Sequence, residues 1–367
     1  MVLEKYLSNL RFWLHGLRML VSPSYRYVIL FVTARCNARC HTCFYWQRIE
    51  DAAQHAELSL EEYQRIAQSM RGILYLSIGG GEPFLRPDLA AIVQAFYTHS
   101  GVRFVNISTN GLLRDAVVKQ VGALLSANPR LRVKLTLSLD GVGERHDQIR
   151  GVPGNWAKCL AVYEALRAIR DENPRLTLEV GSTFCAFNQD HVIALIDYVA
   201  DEMAVDDHTF TFVRGDAKDP QALEASIQAY DEAMTYLKQR RKRGASGVAG
   251  LFAAVAKVMY DINTHILHQD QMVVPCVAAK QLITIDERGA VRPCEILWAK
   301  EGETHDVGDL RQMNYDLRAI RQGASSRREQ RWIRDTQCHC TFECANLCNV
   351  VFRPRLYPRV LRYWWKR

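Results

Sequence analysis

The chain has 367 residues, of which 48% are hydrophobic and 24% are charged, and its formal net charge is +7. This composition excludes disordered, collagenous and low-complexity chains and indicates a large folded domain with a smaller one. No apolar run reaches the ~18 residues that a membrane-spanning helix requires. The N-terminal segment has no small-residue cleavage site, so we expect a cytoplasmic protein with reduced thiols rather than a secreted one.

Strand and helix patterns alternate through the first part of the chain, an order typical of βαβ units in a parallel sheet. The predicted strands are residues 27–33, 73–78, 103–108, 133–139, 176–183 and 209–213, and the predicted helices between them are 58–70, 86–99, 112–127, 155–170 and 188–203. Six strands are fewer than the eight of a closed barrel. We therefore predict an α/β fold with a partial, open (β/α)6 TIM-like barrel, whose active site lies at the carboxyl ends of the strands.

The rest of the chain follows a different pattern. Residues 216–270 are predicted to form a helical linker with two helices. Residues 271–352 are rich in cysteine and contain a predicted hairpin over 282–293, with an otherwise irregular pattern. Small segments of this kind usually depend on a bound metal for stability.

Three cysteines directly follow the first predicted strand. Cys36, Cys40 and Cys43 have the spacing C-x3-C-x2-C. Three thiolates so close together can hold one metal centre. A [4Fe–4S] cluster usually has four cysteine ligands, so three leave one iron open. An open position can bind a substrate or cofactor, as in catalytic zinc sites. A zinc site completed by His41 is the alternative.

This spacing, at this place, resembles the radical S-adenosylmethionine (SAM) superfamily. The resemblance implies that the three cysteines hold a [4Fe–4S] cluster whose open iron binds the amino and carboxylate groups of SAM. The cluster would donate an electron to SAM, and the resulting 5′-deoxyadenosyl radical would remove a hydrogen atom from the substrate. The sequence departs from the family at Thr42, where an aromatic residue or His is common; aromatic residues follow instead at 44–46.

Polar motifs at later strand ends extend the resemblance over about residues 27–215. The family uses a GGE motif for the SAM amino group, a TNG turn, and a Ser and Asp near the ribose and carboxylate of SAM. The matching residues here are Gly80, Gly81, Glu82, Asn110, Ser138 and Asp140. Because the carboxyl ends of parallel strands meet at one mouth, we expect these groups to lie close together. Plain polar turns are the structural alternative.

Two further residues are candidates for catalysis. Arg214 follows the sixth predicted strand and could meet a carboxylate, although a solvated arginine is the alternative. Asp286 lies in the predicted C-terminal hairpin.

The C-terminal cysteines resemble an auxiliary cluster domain called SPASM, or its shorter relative called twitch. They are Cys276, Cys294, Cys338, Cys340, Cys344 and Cys348. Six cysteines stand where seven are usual, and two complete [4Fe–4S] clusters would need four each. The sequence leaves open one auxiliary cluster, two clusters with ligands such as His339 or Glu343, or a zinc site.

Both ends of the chain are basic and aromatic. Residues 1–26 are predicted to contain an amphipathic helix, and residues 353–367 form a basic aromatic tail without an acidic residue. Such ends suit packing on the barrel, peripheral contact with the inner face of an anionic membrane, or, as the weakest alternative, nucleic acid.

The motifs together predict a radical SAM enzyme. Many relatives with this auxiliary domain modify peptides or protein side chains, so that substrate class is favoured; a lipid- or polyprenyl-linked substrate at a membrane and a soluble small molecule are alternatives. A flavodoxin or ferredoxin is the expected electron donor. The alternative of another class is a non-enzymatic, metal-stabilised protein that binds nucleic acid.

Overall fold

In the computed structural model, which describes residues 24–240, 247–297 and 305–365, the strands form a single open sheet. The strands are β1 Tyr27–Thr33, β2 Tyr75–Gly80, β3 Phe104–Thr109, β4 Arg132–Ser138, β5 Leu176–Phe184, β6 Asp207–Phe212, β7 Leu282–Ile285, β8 Ala290–Arg292 and β9 Gly308–Asp309. Their order across the sheet is β6-β5-β4-β3-β2-β1-β7-β8-β9. Neighbouring strands from β6 to β1 are parallel, as the βαβ pattern predicted, so the predicted partial barrel is confirmed.

The α-helices connect and cover these strands. They are α1 Trp46–Glu50, α2 Leu60–Ser69, α3 Leu89–Ala95, α4 Arg114–Ala127, α5 Glu144–Arg150, α6 Asn155–Glu172, α7 Val192–Glu202, α8 Ile227–Arg240, α9 Gly247–Gln269, α10 Leu317–Gln322, α11 Ala324–Asp335, α12 Glu343–Val351 and α13 Tyr357–Trp365. Helix α2 begins with a capping box, in which Ser59 accepts a hydrogen bond from the Glu62 backbone and Glu62 accepts one from the Ser59 backbone.

Strands β3 to β6 have one apolar and one mostly polar face. Side chains alternate along a strand, so every second residue points to the same side. In β3 the buried residues Val105 and Ile107 alternate with Asn106 and Ser108, which face the barrel interior. TIM barrels normally fill their interior with branched apolar side chains. Here the interior, which we call the lumen, is open and is mostly polar along β3 to β6, whereas Tyr27, Ile29 and Phe31 of β1 line the other wall.

The cysteine-rich part of the chain joins the barrel sheet directly. Strand β7 pairs parallel with β1, with Tyr27 opposite Leu282 and Leu30 opposite Ile285. Strand β8 then pairs antiparallel with β7. The hairpin that was expected inside a separate auxiliary domain therefore extends the barrel sheet, and it places Cys294 just beyond the edge of the barrel.

Four helices, α10 to α13, lie in the C-terminal part, where an irregular pattern and a tail were expected. The buried face of α11 is only partly apolar, since it includes Ser326 and Glu329 beside Ile333. Glu329 is paired with buried His305 at 2.9 Å. A polar partner thus replaces part of the apolar stripe that sequence patterns detect.

The basic aromatic tail forms helix α13 and packs against α9. Tyr363 donates a hydrogen bond to Asp261 and lies under the ammonium group of Lys257, while Val360 is buried. The described part of the tail is therefore docked, whereas Trp365 is 87% exposed. The predicted N-terminal amphipathic helix lies outside the described residues.

None of the helices in the described ranges has the length and apolar character needed to cross a bilayer.

Candidate active site

A cavity of about 2330 Å³ runs through the barrel. Inward-facing residues of β1 to β6 line it, and so do all three cysteines of the loop after β1, Cys36, Cys40 and Cys43. The polar lumen and the cysteine loop therefore belong to one continuous space.

The loop that carries the three cysteines is tied down on both sides. The backbone N–H groups of Arg39 and His41 donate to the carbonyls of Arg150 and Ile149, at the end of α5. On the other side, Lys218 donates its backbone N–H to the carbonyl of Cys43. These bonds hold the loop over the mouth of the barrel.

Burial keeps two of the loop thiols, Cys36 and Cys43, protonated when no metal is bound. It raises the pKa of Cys36 to about 11 and that of Cys43 to about 12. Metal binding would remove these protons, because the thiolate is the ligand.

Two glycines let the end of β2 pass close to the cysteine loop. Gly81 donates its backbone N–H to the Thr33 carbonyl at 2.7 Å. A Cβ atom at Gly81 would lie 2.1 Å from the Arg35 carbonyl oxygen, and Gly80 has a φ of +108°. Only glycine satisfies both requirements. The sequence predicted this glycine turn, and the geometry supplies its physical reason.

Glu82 connects two strand ends instead of projecting freely into the cavity. Its carboxylate accepts hydrogen bonds from the Thr109 hydroxyl at 2.9 Å and from the backbone N–H groups of Asn110 and Phe84 at 2.8 and 3.2 Å. The group is buried, and burial raises its pKa to about 7 despite these donors. Asn110 in turn donates to Asn37 in the cysteine loop at 2.7 Å. Glu82 thus orders the loop indirectly.

Ser138 lines the cavity, whereas the side chain of Asp140 is completely buried. One carboxylate oxygen of Asp140 accepts from the Thr183 backbone at 2.7 Å, and the other lies 2.7 Å from Nε of Arg150. The guanidinium of Arg150 faces the cavity and donates to the Cys40 sulfur at 3.7 Å. Burial opposes its charge, but Asp140 and Cys40 outweigh burial and raise the Arg150 pKa. Sequence analysis missed Arg150, because only the fold brings α5 to the cysteine loop.

The donor set fits an iron–sulfur cluster better than a single ion. Within the described ranges, no three His, Cys, Asp or Glu side chains converge closely enough to hold one metal ion. A [4Fe–4S] cluster instead takes each cysteine on a different iron, so its thiols stand apart around a larger body. Three thiols beside an open cavity and a buried cation suit such an anionic group.

The six C-terminal cysteines lie in one region beside β1. Burial raises the pKa of every thiol for which a shift is resolved, to about 11 for Cys276 and Cys340 and to about 12 for Cys344. Cys276 is a neighbour of several other cysteines. Its charge raises the pKa of Cys294, Cys340 and Cys348, and the charge of Cys338 raises the pKa of Cys276. Cys344 is nearer the barrel, where its sulfur accepts a hydrogen bond from Tyr27 at 3.3 Å.

Arg214 connects the barrel to this cysteine region. Its guanidinium contacts Glu295 at 2.5 Å and Glu343 at 2.7 Å. These two carboxylates directly follow Cys294 and precede Cys344, so the arginine joins the end of β6 to two cysteine-bearing segments. The group lines the cavity, with both of its terminal nitrogens engaged.

Removing this arginine is expected to destabilise the fold strongly. Arg214→Met would leave buried Glu295 and half-buried Glu343 without their cation and lower the free energy of unfolding by about 3–5 kcal/mol. Urea denaturation of the metal-free protein measures this loss. The matched control is Arg334→Met, which removes an exposed arginine paired with Asp335 and should cost less than about 1 kcal/mol. Equal losses in both variants would contradict the role of Arg214.

Asp286, the other catalytic candidate, lies in the turn of the β7–β8 hairpin. It accepts hydrogen bonds from the backbone N–H groups of Arg288 and Ala290 at 3.0 and 2.8 Å. Among the described residues that line the cavity, Asp286 does not occur. The structure thus brings Arg214 to the cavity and leaves Asp286 away from it.

Comparison with known proteins agrees with this arrangement. Residues 30–199 match the family model described as Radical SAM superfamily. A curated relative, AdoMet-dependent heme synthase of Methanosarcina barkeri, is 28% identical over 218 residues, which cover 58% of this chain and 57% of the relative. The chain thus spans little more than half the length of that relative.

Two solved structures share the fold. Native anSMEcpe with bound AdoMet (SAM) has a TM-score of 0.60 and 14% identity, covering 93% of this chain and 97% of that chain. Streptococcus suis SuiB bound to precursor peptide SuiA has a TM-score of 0.57 and 16% identity, covering 88% of this chain and 70% of that chain.

The chain therefore contains, over residues 30–199, a domain of the radical SAM class of enzymes. The cofactors of this class are a [4Fe–4S] cluster and SAM, and the cysteine-rich C-terminal region fits an auxiliary cluster. Because the homologues are enzymes, the alternative of a non-enzymatic nucleic-acid-binding protein has no support.

Proposed function

We propose that this protein is a radical SAM enzyme that acts on a substrate held in the barrel lumen. The observation that carries the proposal is the shared cavity: Cys36, Cys40, Cys43, the glycine turn and Arg150 all line the space that continues into the lumen. A bound cofactor at the cysteine loop would therefore face a substrate directly. The proposed limits are residues 27–215 for the barrel, 216–270 for the helical linker and 271–352 for the auxiliary region.

The three loop cysteines would hold the cluster that cleaves SAM. When bound, this cluster supplies one electron to SAM, and the 5′-deoxyadenosyl radical so formed removes a hydrogen atom from substrate. Gly80 and Gly81 keep the backbone close to the loop, and Glu82 and Asn110, just after β2 and β3, order it. Ser138 offers a hydroxyl to SAM at the cavity wall, while Asp140 acts indirectly by holding Arg150.

We assign one auxiliary [4Fe–4S] cluster to the C-terminal cysteines. Four ligands are required. Cys276 has Cys294, Cys338, Cys340 and Cys348 as electrostatic neighbours, which makes five candidates. We take Cys276, Cys294, Cys340 and Cys348 as the four ligands, since the charge of Cys276 acts on each of the other three. Cys344 instead accepts a hydrogen bond from the hydroxyl of Tyr27, on the barrel side. The electron needed for SAM cleavage would come from an external donor, a flavodoxin or ferredoxin.

The proposed substrate is a peptide or protein side chain. SuiB, which shares the fold, is known with a precursor peptide bound. The lumen of this chain also suits amide groups, since Lys134, Glu179 and Thr136 offer both hydrogen-bond donors and acceptors inside it.

A lipid-linked substrate is the second candidate, and it rests on helix α13. Leu361 is 48% exposed and Trp365 is 87% exposed, beside the basic residues Arg359 and Arg362. Aromatic and basic residues together suit the surface of an anionic membrane.

Anaerobic incubation with SAM and dithionite tests the proposed function. The reconstituted protein should release 5′-deoxyadenosine, and a variant with Cys36, Cys40 and Cys43 replaced by Ala should release none. Equal product from both proteins, or none from either when the iron content is normal, would refute the proposal.

A further inference from the structure

The exposed face of helix α11 carries a row of arginines. Arg327, Arg331 and Arg334 are exposed, and their successive spacings of four and three residues place them on one side of the helix. We call these three residues the arginine stripe. Ser326 and Ile333 are buried on a different side of α11, which faces the protein.

The positive charge of this region is not neutralised by the described part of the chain. Helices α10 and α11 together contain six arginines against two carboxylates, Glu329 and Asp335. Among the described residues, Arg327 and Arg331 form no ion pair, and Arg334 contacts only the exposed Asp335, at 2.8 Å. Like charges three and four residues apart destabilise a helix, so the stripe favours an acidic group from outside.

The inner face of α11 packs on the segments that carry the auxiliary cysteines. Ser326 and Gln330 donate hydrogen bonds to the carbonyl of Ala279 at 3.4 and 3.1 Å. Ala279 lies three residues after Cys276, and its own N–H donates to the carbonyl directly before Cys294. The stripe is therefore on the outer side of a helix that covers both of these cysteine segments.

The end of α11 brings the stripe to two further cysteines. The backbone N–H of Cys338 donates to the carbonyl of Ile333, in the last turn of the helix, at 3.0 Å. Cys338 and Cys340 are half-buried and not sealed inside the protein. A partner bound at the stripe would thus lie next to the proposed auxiliary cluster.

The stripe lacks the features that suit a membrane or a single-stranded nucleic acid. Helices at a membrane surface bury an apolar face in the lipid, but the apolar residues of α11 are used for packing inside the protein. Its one aromatic residue, Trp332, packs on His305 with ring centroids 4.3 Å apart, so it is not free to stack on bases. Charge complementarity with an acidic protein surface remains.

We propose that the arginine stripe is the docking site of a small acidic one-electron carrier protein. The carrier is oxidised by one electron, and the auxiliary cluster beneath α11 is reduced by one. The inference rests on the proposed function in taking the C-terminal cysteines as a cluster site and an external carrier as the electron donor. It deepens that function by naming the surface at which the carrier binds.

Calorimetric titration of the reconstituted full chain tests the docking directly. The probes are a bacterial flavodoxin and a [2Fe–2S] ferredoxin, both acidic, and cytochrome c, a basic carrier. Both acidic carriers should bind, and their affinity should fall when the salt concentration rises from about 0.05 M to about 0.5 M, because salt screens exposed charges. Absence of binding by both, or equal binding of cytochrome c, would overturn the inference.

Charge removal locates the docking surface. The triple variant Arg327→Gln, Arg331→Gln and Arg334→Gln should bind either acidic carrier at least about tenfold more weakly than the parent does. The matched control removes three exposed basic residues of the barrel helices and their ends, as Lys119→Gln, Arg130→Gln and Lys158→Gln, and should bind as the parent does. Equal affinity of the two triple variants would contradict a specific role of the stripe.

Two further measurements separate the remaining outcomes. A DNA duplex that binds the parent and not the stripe variant, while both carriers fail to bind, would overturn the assignment in favour of nucleic acid. With dithionite, which needs no docking, the stripe variant should release 5′-deoxyadenosine as the parent does, and with limiting reduced flavodoxin it should be about tenfold slower. Failure of the proposed function is seen separately, as absence of 5′-deoxyadenosine from the parent with dithionite.

Discussion

Gly81→Ala should displace the cysteine loop and weaken SAM binding while leaving the barrel folded. The new Cβ would lie 2.1 Å from the Arg35 carbonyl oxygen and 3.0 Å from the Ala34 carbonyl carbon, and both are backbone atoms that no rotamer change can move. The strands must separate, at a cost of about 1–3 kcal/mol for overpacking. We expect SAM affinity of the reconstituted protein to fall by about 10-fold to 100-fold in equilibrium binding measurements.

Gly122→Ala is the matched control for this change. Gly122 lies within α4, and a Cβ there would meet nothing within 4 Å. The same substitution at this position should leave SAM affinity unchanged and slightly stabilise the helix. If Gly81→Ala bound SAM as the parent does, the close approach of β2 to the cysteine loop would not be part of the site.

Arg150→Met should lower the stability of the folded protein and should also make the iron–sulfur cluster harder to reduce. The substitution leaves the Asp140 carboxylate buried without its cation, which is expected to lower the free energy of unfolding by about 3–5 kcal/mol. It also removes a positive charge and a hydrogen bond from the Cys40 sulfur. Net charge and hydrogen bonds to sulfur set cluster potentials, so the potential should become more negative.

A double variant separates the two effects. Asp140→Asn combined with Arg150→Met removes the orphaned carboxylate and should recover much of the lost stability. It cannot restore the charge beside Cys40, so the electron paramagnetic resonance signal after dithionite reduction should stay weaker than in the parent. A double variant with the full signal would show that Arg150 acts on the fold alone.

The barrel could be predicted from the sequence because its strands are regular. Strand β1 matches its predicted range, and the other barrel strands begin or end within two residues of theirs. Alternation of apolar and polar residues, broken by glycine and asparagine at the strand ends, is a strong local signal. The C-terminal helices were missed for the opposite reason: α11 buries a polar pair, and α12 contains cysteines where an apolar stripe would be expected.

The residues of the site divide in the same way. Cys36, Cys40 and Cys43 could be predicted from the sequence because they lie close together in the chain with a characteristic spacing. Arg150 is not, since its contact with Cys40 spans a long stretch of chain and depends on how α5 packs. The polar side of the lumen could have been found: Lys134 and Thr136 alternate with apolar residues in the fourth predicted strand, and so point to the same side as the predicted site residue Ser138.

Iron analysis of two cysteine variants tests the central claim most directly, namely that one chain holds two clusters at separate cysteine groups. After anaerobic reconstitution the parent should contain about eight iron atoms per chain. Replacing Cys36, Cys40 and Cys43 by Ala, or Cys276, Cys294, Cys340 and Cys348 by Ala, should each leave about four, with the Mössbauer signature of a [4Fe–4S] cluster. Loss of all iron from either variant, or retention of all of it, would contradict two independent sites.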